Sequence, residues 1–265
     1  MQTWKLVIEY DGAAFCGWQT QPGVETVQQT LEQTIRQIFG GEHINCNASG
    51  RTDSGVHALG QVVSFRAETP RDPEKLRMAL NTLLPKTVAC TSAQPVPAGF
   101  HARMSAIGKR YRYVILHRPD RSPFLWTRAL YVRRPMDWAA IDRALEDMRG
   151  TYDCSCFQGP NCEERNPVRS IRETTHVDRG AGEHWIEFEG PGFLRYQIRI
   201  MVGTLLEIGE GRRPVDDIPR LIAGKDRNLA GRTALADGLY LVRVYYPEDA
   251  ALVGPLPPRP PVDAP

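Results

Sequence analysis

The sequence predicts an α+β fold made of two tandem ferredoxin-like units with antiparallel sheets. Two observations support this prediction. The hydrophobic pattern changes repeatedly between strand-like alternation and helical spacing, and the order β-α-β-β-α-β occurs twice along the 265 residues. That order is the split βαβ unit, in which two helices cover one face of an antiparallel sheet. A hydrophobic fraction of 42% is sufficient for one large core or two ordinary ones.

The first copy of the pattern occupies the first hundred residues. Trp4, Leu6, Ile8 and Tyr10 alternate and predict the opening strand. The other elements are predicted as a helix over 26–39, strands over 44–48 and 61–65, a helix from Asp72-Pro73 to about Leu84, and a strand over 87–94. A glycine pair after the first helix and a proline just inside the second mark their ends.

The second copy begins at Lys109 and carries an insertion. Its elements are predicted as strands over 109–116, 168–177, 184–188 and 239–245, a turn at 178–180, and helices over 137–149, 194–208 and, as the insertion, about 215–223. We therefore predict an N-terminal domain over 1–107, which carries the polar turn described below, and a C-terminal domain over 108–247. A proline-rich tail over 248–265 is expected to be extended.

Composition argues against several classes of protein. No basic region followed by an apolar stretch precedes the first strand, and the longest apolar runs fall far short of the roughly 20 residues that cross a bilayer. A cytoplasmic protein with no membrane partner is therefore expected. The cluster Cys154-x-Cys156-x5-Cys162 has no second pair with the spacing of a zinc site. Free thiols and no metal site are expected.

Charge is distributed unevenly along the chain. The formal net charge is only +2, yet the segment from His101 to Arg134 contains nine lysine or arginine residues and a single acid, Asp120. A concentrated positive field favours a polyanionic partner such as a nucleic acid. On charge alone, a solvated basic face is the alternative.

One polar turn in the first half concentrates reactive side chains. It reads Ser-Gly-Arg-Thr-Asp-Ser-Gly-Val-His-Ala over residues 49–58, between the second and third predicted strands. Glycines on both sides of Asp53 permit a tight backbone path. Taken alone, the pattern fits an ordinary turn better, with Asp53 accepting hydrogen bonds from backbone N–H groups.

Residues 50–58 resemble the active-site motif of the tRNA pseudouridine synthase A family. Further blocks resemble that family in the same order along the chain. They are Tyr10-Asp11-Gly12, Gly17-Trp18-Gln19, Asn81-x-Leu83-Leu84-Pro85, Phe100-His101-Ala102-Arg103, Arg110-Tyr111-Arg112-Tyr113, Phe193-Leu194-x3-Ile198-Arg199 and Gly238-Leu239-Tyr240-Leu241. The resemblance therefore extends from residue 6 to about residue 246.

The resemblance implies an isomerase that converts uridine to pseudouridine in the anticodon stem-loop of tRNA, at tRNA positions 38, 39 and 40. The N1–C1′ bond breaks and the base rejoins the sugar through C5, so the reaction needs no cofactor. By resemblance Asp53 is the catalytic carboxylate, a group that acts as a covalent nucleophile in other enzymes. Attack at C1′, attack at C6 and deprotonation at C2′ all stay open as its role.

The resemblance also assigns roles to residues of the second half. The ring of Tyr111 would stack on the flipped uracil, Leu239 would pack the pocket wall, and Arg199 would face the catalytic carboxylate. Without the resemblance, Tyr111 and Leu239 fit ordinary core positions. Arg199, among apolar neighbours on a helix, then fits slightly better as a side chain that extends its guanidinium to water.

Several basic residues are expected to contact RNA. Given the resemblance, Arg51 holds a phosphate or enters the space that the flipped base leaves, with a solvated side chain as the alternative. Lys109, Arg110 and Arg112 are candidates for contacts with the RNA backbone. Because the site residues come from both halves, we expect an active-site cleft between the two sheets. The family also implies a homodimer whose subunits can both touch one tRNA.

Two other functions fit parts of the sequence. A non-catalytic RNA-binding protein can consist of two ferredoxin-like units, but the aromatic signature of such RNA-binding strands is not apparent here. A hydrolase of glycosidic or phosphodiester bonds normally needs two carboxylates or a metal held by acids, and the 49–58 turn offers one acid. We therefore expect a pseudouridine synthase that uses neither metal nor cofactor.

Overall fold

The computed structural model describes residues 1–41, 43–68, 70–160, 162 and 165–253, without the side chains of 252 and 253. These residues form two compact units: 1–107 with 240–250, and 108–239 with the described residues from 251 onward. Helices and mostly antiparallel strands together confirm the predicted α+β class. Among the described helices, none combines the length and the apolar character needed to cross a membrane.

The first unit contains the predicted order of elements. They are β1 (Gln2–Tyr10), α1 (Val27–Ile38), β2 (Asn47–Ala48), β3 (His57–Ala67), α2 (Pro73–Leu83) and β4 (Val88–Val96). β1 pairs antiparallel with both β3 and β4, and β2 pairs antiparallel with β3. The resulting strand order β4-β1-β3-β2 is that of a ferredoxin-like sheet.

The core of the first unit comes from one face of β1 and one stripe of each helix. Trp4, Leu6 and Ile8 alternate along β1, and each is at most 1% exposed. Apolar residues at helical spacing on α1 and α2 are buried as well; they are Leu31, Ile35, Leu76 and Leu80. The alternation and the helical spacing in the sequence therefore identify the buried face of each element correctly.

Two strand predictions in the first unit have wrong limits. The strand expected over 44–48 is reduced to the two residues of β2, and the strand expected over 61–65 begins four residues earlier, at His57. The early start follows from pairing, because Tyr10 of β1 is opposite Ala58. The last residues of the 49–58 segment therefore belong to a strand rather than to a loop.

The second unit contains more strands than predicted. Its elements are β5 (Gly108–His117), β6 (Leu130–Val132), α3 (Trp138–Asp147), β7 (Gly150–Asp153), β8 (Val168–Ile171), β9 (Glu173–Gly180), β10 (Glu183–Gly190), α4 (Gln197–Gly209) and α5 (Asp217–Gly224). β10 lies between β5 and β9 and is antiparallel to both. β6 runs parallel to β5, and β7 and β8 form a separate antiparallel pair.

Three predicted boundaries in the second unit are wrong for identifiable reasons. The strand over 168–177 is interrupted at Arg172, because β8 pairs with β7 whereas β9 pairs with β10. The turn expected at 178–180 lies at Ala181 and Gly182, whose φ values of 54° and 80° suit a type I′ hairpin turn. The helix expected from 194 begins at Gln197, because Tyr196 has a left-handed φ of 62°.

The last strand pairs with the first unit. β11 (Leu239–Tyr245) runs parallel to β3, with Tyr240 opposite His57. The division into domains over 1–107 and 108–247 stays a prediction. A helical turn, α6 (Ala250–Val253), follows at the start of the expected tail. All six prolines of that tail lie outside the described residues.

Helix α2 begins at a capping residue that offers a test of this fold. Asp72 Oδ1 accepts the Lys75 N–H at 2.9 Å, and Pro73 is the first helical residue. Asp72→Ala is expected to lower the free energy of unfolding by about 1 kcal/mol, because that N–H loses its acceptor. Urea unfolding followed by far-UV circular dichroism measures the change.

The matched control for this helix cap is Asp72→Asn, which keeps a side-chain acceptor and is expected to unfold at nearly the native urea concentration. An alanine variant as stable as the native protein would show that the cap does not contribute.

Candidate active site

The 49–58 segment presents Asp53 on a tightly turned loop. The Val56 N–H donates to the Asp53 carbonyl oxygen at 3.1 Å, and Gly55 has a φ of 81°. These two features turn the chain directly after the aspartate. Asp53 is half-buried, between the buried Thr52 and the exposed Ser54. The carboxylate is therefore carried by a constrained backbone and is partly open to solvent.

Gln61 of β3 supports the arm of the loop that leads into Asp53. Its side chain is completely buried. Gln61 Oε1 accepts from Ser49 Oγ at 2.7 Å, and Gln61 Nε2 donates to the Gly50 carbonyl oxygen at 2.9 Å. Buried amides are retained when such partners satisfy them. This single side chain therefore fixes two consecutive residues at the start of the loop.

Thr52, the residue before Asp53, is held by the N-terminal block of the chain. The Tyr10 hydroxyl and Thr52 Oγ1 are 2.8 Å apart, and the Trp18 N–H donates to the Thr52 carbonyl oxygen at 3.0 Å. Burial raises the pKa of Tyr10 to about 12. The phenol therefore stays protonated near neutral pH, and its hydrogen bond persists there.

Two glycines allow the N-terminal block to approach the loop closely. A Cβ on Gly12 would lie 2.1 Å from the Val56 carbonyl oxygen, and a Cβ on Gly17, whose φ is 88°, would lie 2.9 Å from that of Thr52. The Gly12 N–H also donates to His57 Nδ1 at 3.1 Å. The glycines of this block therefore shape the backbone on both sides of Asp53.

In the second unit, Tyr111 lies on β5 with its ring almost covered. It is 9% exposed, and its ring meets that of Phe193 edge to face, with centroids 5.4 Å apart and an interplanar angle of 85°. Its partner across the strand pair is Phe188 of β10. Aromatic neighbours therefore set the orientation of the ring that was predicted to stack on uracil.

Arg199 lies in the first turn of α4 and is anchored by protein atoms. Its Nε donates to the Ala234 carbonyl oxygen at 2.8 Å, and its guanidinium carbon lies 5.0 Å from the centre of the Tyr196 ring. The Ala234 N–H donates in turn to the Arg199 carbonyl oxygen at 3.0 Å. The side chain therefore does not simply extend into water, and its pairing with Asp53 stays a prediction.

The connection from 234 to 239 is held at several points. The Tyr113 hydroxyl donates to the Leu235 carbonyl oxygen at 2.7 Å, and the Leu239 N–H donates to that of Ala236 at 2.8 Å. Leu239 itself is 6% exposed. The structure therefore presents Leu239 as a fixed apolar side chain, which suits both the pocket wall and ordinary packing.

Two of the basic candidates face glutamates across the sheet. Arg110 Nη2 lies 2.7 Å from Glu189 Oε2, whose side chain is 1% exposed, and 3.3 Å from Glu173 Oε2. Arg112 Nη2 lies 2.7 Å from Glu187 Oε1. Burying a carboxylate such as that of Glu189 costs free energy unless a cationic partner compensates for the lost water. The positive charge counted along residues 101–134 is therefore partly neutralised by carboxylates from β9 and β10.

The predicted site residues divide between the two units. Asp53 and the exposed Arg51 share the loop of the first unit, whereas Tyr111, Arg199 and Leu239 belong to the second. The active-site cleft between the halves stays a prediction.

Sequence reasoning missed two supports of the Asp53 loop. These are Gln61, in the strand that follows the loop, and the hydroxyl of Tyr10. The sequence did contain a signal for both residues, because each places a polar group at a strand position that the alternation predicts to be buried.

Cys154 and Cys156 of the cysteine cluster are buried and provide packing rather than reactive groups. Burial raises the pKa of Cys154 and of Cys156 to about 12, so both thiols stay protonated. Gln197 Nε2 donates to Cys154 Sγ at 3.3 Å. Within the part of the chain that the structure describes, no three His, Cys, Asp or Glu side chains are grouped so as to hold a metal ion.

Comparison with known proteins identifies the family of this chain. Residues 6–104 and 144–247 match the family described as tRNA pseudouridine synthase. The chain is 40% identical over 250 residues to tRNA pseudouridine synthase A of Paraburkholderia phytofirmans, covering 94% of this chain and 92% of that protein. It is also 40% identical over 249 residues to tRNA pseudouridine synthase A of Geobacter sp. strain M21, covering 94% and 100%. The chain belongs to the tRNA pseudouridine synthase family.

Proposed function

We propose that this chain isomerises uridine to pseudouridine in tRNA, with Asp53 as its catalytic carboxylate. The observation that carries the proposal is the placement of Asp53, half-buried on a loop that buried hydrogen bonds hold, within the ranges that match the family. A non-catalytic RNA-binding protein has no need for such support around one carboxylate. The family makes the reaction an intramolecular transfer.

The reaction moves the base without a net gain or loss of atoms. The N1–C1′ bond breaks, uracil turns, and C5 bonds to C1′; C5 then loses a proton, and N1 gains one. No oxidant, reductant or group donor enters this balance. A single carboxylate suits any of three roles, namely attack at C1′, attack at C6 or removal of the proton at C2′.

Residues of the second unit complete the proposed site. The Tyr111 ring stacks on the flipped uracil, and its hydroxyl assists removal of the C5 proton. Arg199 supplies the positive charge that keeps a partly desolvated carboxylate ionised. Leu239 forms part of the apolar wall. Arg51 holds a phosphate or fills the space that the flipped base leaves.

The substrate proposed is the anticodon stem-loop of tRNA, at uridines 38, 39 and 40. RNA of this kind is recognised through phosphates and shape more than through base edges. Lys109, Arg110 and Arg112 are proposed to contact the backbone, with the charge of the two arginines shared with glutamates. A homodimer in the cytoplasm is proposed as the working form, with an N-terminal domain over 1–107 and a C-terminal domain over 108–247.

Replacement of Asp53 tests the proposal directly. Native protein incubated with [5-³H]uridine-labelled bulk tRNA in excess chelator is expected to release tritium, because C5 exchanges its hydrogen for the sugar. Asp53→Ala is expected to release none, because the carboxylate proposed to act at C1′, C6 or C2′ is gone. Tritium counts in the solvent provide the measurement.

Asp53→Asn serves as the control for charge, and filter binding of tRNA to each variant serves as the control for folding. Equal release by native and variant protein would place the chemistry on another residue. Binding of tRNA without any release by the native protein would favour the non-catalytic alternative.

The hydroxyl of Tyr111 is proposed to act on the C5 proton. Tyr111→Phe retains the ring and is expected to bind tRNA normally but to turn over about 10² to 10⁴ times more slowly, because a positioned acid or base contributes that much. Single-turnover assays with uridine and with 5-deuterated uridine are the measurement. A larger isotope effect in the variant supports the role, and native turnover of the variant contradicts it.

Gln61 is proposed as a positioning residue for Asp53. Gln61→Ala removes the hydrogen bonds to Ser49 and Gly50, so kcat is expected to fall about tenfold or more while the Kd for tRNA stays within about twofold.

Asn81→Ala provides the matched control for the Gln61 variant. The Asn81 amide makes two hydrogen bonds to the Cys90 backbone, at 2.7 and 2.8 Å. Both residues belong to the same unit as Gln61, and neither bond involves the Asp53 loop. If Gln61→Ala and Asn81→Ala lost kcat equally, Gln61 would contribute only to the general stability of the unit and not to the position of Asp53.

A further inference from the structure

The connection between β5 and β6 presents two aromatic side chains to solvent. Phe124 is 85% exposed and Trp126 is 69% exposed. Single exposed apolar residues are ordinary, but two large rings within three residues form a local apolar surface. We call residues 118–128 the aromatic loop. It falls between the two ranges that match the family, 6–104 and 144–247.

Hydrogen bonds within the aromatic loop and from Ala129 and Tyr131, which follow it, hold the loop. The Leu125 carbonyl oxygen accepts from the N–H groups of Arg128 and Ala129, at 2.9 and 3.1 Å. The Tyr131 hydroxyl donates to the Pro119 carbonyl oxygen at 2.5 Å. The loop therefore turns back on itself and holds the rings outward, so their exposure does not come from a loosely attached segment.

Backbone strain also indicates that the loop conformation is imposed. Thr127 has a φ of 64°, a left-handed value that is rare for a β-branched residue. Such residues persist only where the surrounding structure determines them, and they concentrate at functional surfaces. Thr127 directly follows Trp126, so the strained residue helps to set the direction of the indole.

The charge around the rings is positive. Arg118, Arg121 and Arg128 accompany one acid, Asp120, in the aromatic loop. Arg118 donates to the carbonyl oxygens of Asp120 and Arg121, at 2.7 and 3.4 Å. In the described part of the chain, neither Arg118 nor Arg121 forms an ion pair with a carboxylate. These two arginines therefore differ from Arg110 and Arg112, whose charge glutamates share.

We propose that the aromatic loop is a stacking platform for unpaired bases of tRNA. Exposed aromatic rings beside arginines are the combination that binds single-stranded RNA, because bases stack on the rings while guanidiniums attract phosphates. None of the residues assigned to the chemistry belongs to this loop. The proposal rests on tRNA as the substrate and extends the contact surface beyond the catalytic residues.

A second copy of this chain suits the surface less well. Two copies of the loop related by a two-fold axis would bring arginines of like charge together, which opposes association. RNA instead provides negative charge that complements the arginines and flat base faces that can stack on the rings. The occupant is therefore assigned as RNA, and a second copy becomes an outcome of the test.

The test compares the affinity of native protein and the double variant Phe124→Ala/Trp126→Ala for an unmodified tRNA transcript. Filter binding over a range of salt concentrations is expected to show a Kd at least about fivefold weaker for the variant. The slope of log Kd against log salt is expected to stay unchanged, because stacking neutralises no phosphate. Arg121→Ala is expected instead to reduce that slope by about one.

Two controls separate stacking from general effects. Met78→Ala/Leu83→Ala removes two side chains of α2 that are 57% and 43% exposed, and it is expected to bind tRNA like native protein. A blunt RNA duplex is expected to bind native protein and the Phe124/Trp126 variant equally, because its bases are already stacked on one another.

Three outcomes would overturn the platform. In the first, the Phe124/Trp126 variant binds tRNA with the Kd of native protein. In the second, the variant loses affinity for the RNA duplex as much as for tRNA. In the third, light scattering shows that the variant has a different oligomeric state, which accounts for its weaker binding. The last would make the aromatic loop an interface between copies. Failure of the proposed function is seen separately, as the absence of tritium release by native protein, and it leaves the binding comparison intact.

Discussion

The buried hydrogen bonds around Gln61 and Tyr10 are the constraint on which the Asp53 loop depends. Both residues belong to neighbouring strands, because β1 and β3 pair with Ile8 opposite Gln61. The register shifts between Ile8 and Tyr10, and such irregularities re-aim side chains next to active sites. The ferredoxin-like sheet thus supports the Asp53 loop, because its register determines where the Gln61 amide and the Tyr10 phenol can reach.

Hydrogen bonds to neighbouring segments also fix residues of the second unit. Arg199 is tied to Ala234 through both its side chain and its backbone, and Tyr113 holds the next residue, Leu235. A catalytic site needs groups that are already in place, because ordering them during the reaction costs free energy. In each unit, hydrogen bonds to atoms with no proposed role in the reaction therefore hold residues of the proposed site.

Sheet pairing also redistributes the electrostatics of the chain. Along the sequence, the segment 101–134 has many basic residues and a single acid. In the folded chain, however, β10 brings Glu187 and Glu189 opposite Arg112 and Arg110. Charge that is shared in this way contributes less to a long-range field. The remaining positive charge lies where strands do not impose a carboxylate partner, notably at Arg118 and Arg121.

The sequence by itself determined the order of the elements in the first unit, the ends of its two helices, the buried face of β1 and the family. These features depend on residues a few positions apart, and periodicity and capping report them directly. Only the tertiary structure decided the contacts between distant segments: Gln61 with the loop, the glutamates against the arginines, and β11 beside β3. Such pairings join residues from separate strands, and local spacing does not specify which strands become neighbours.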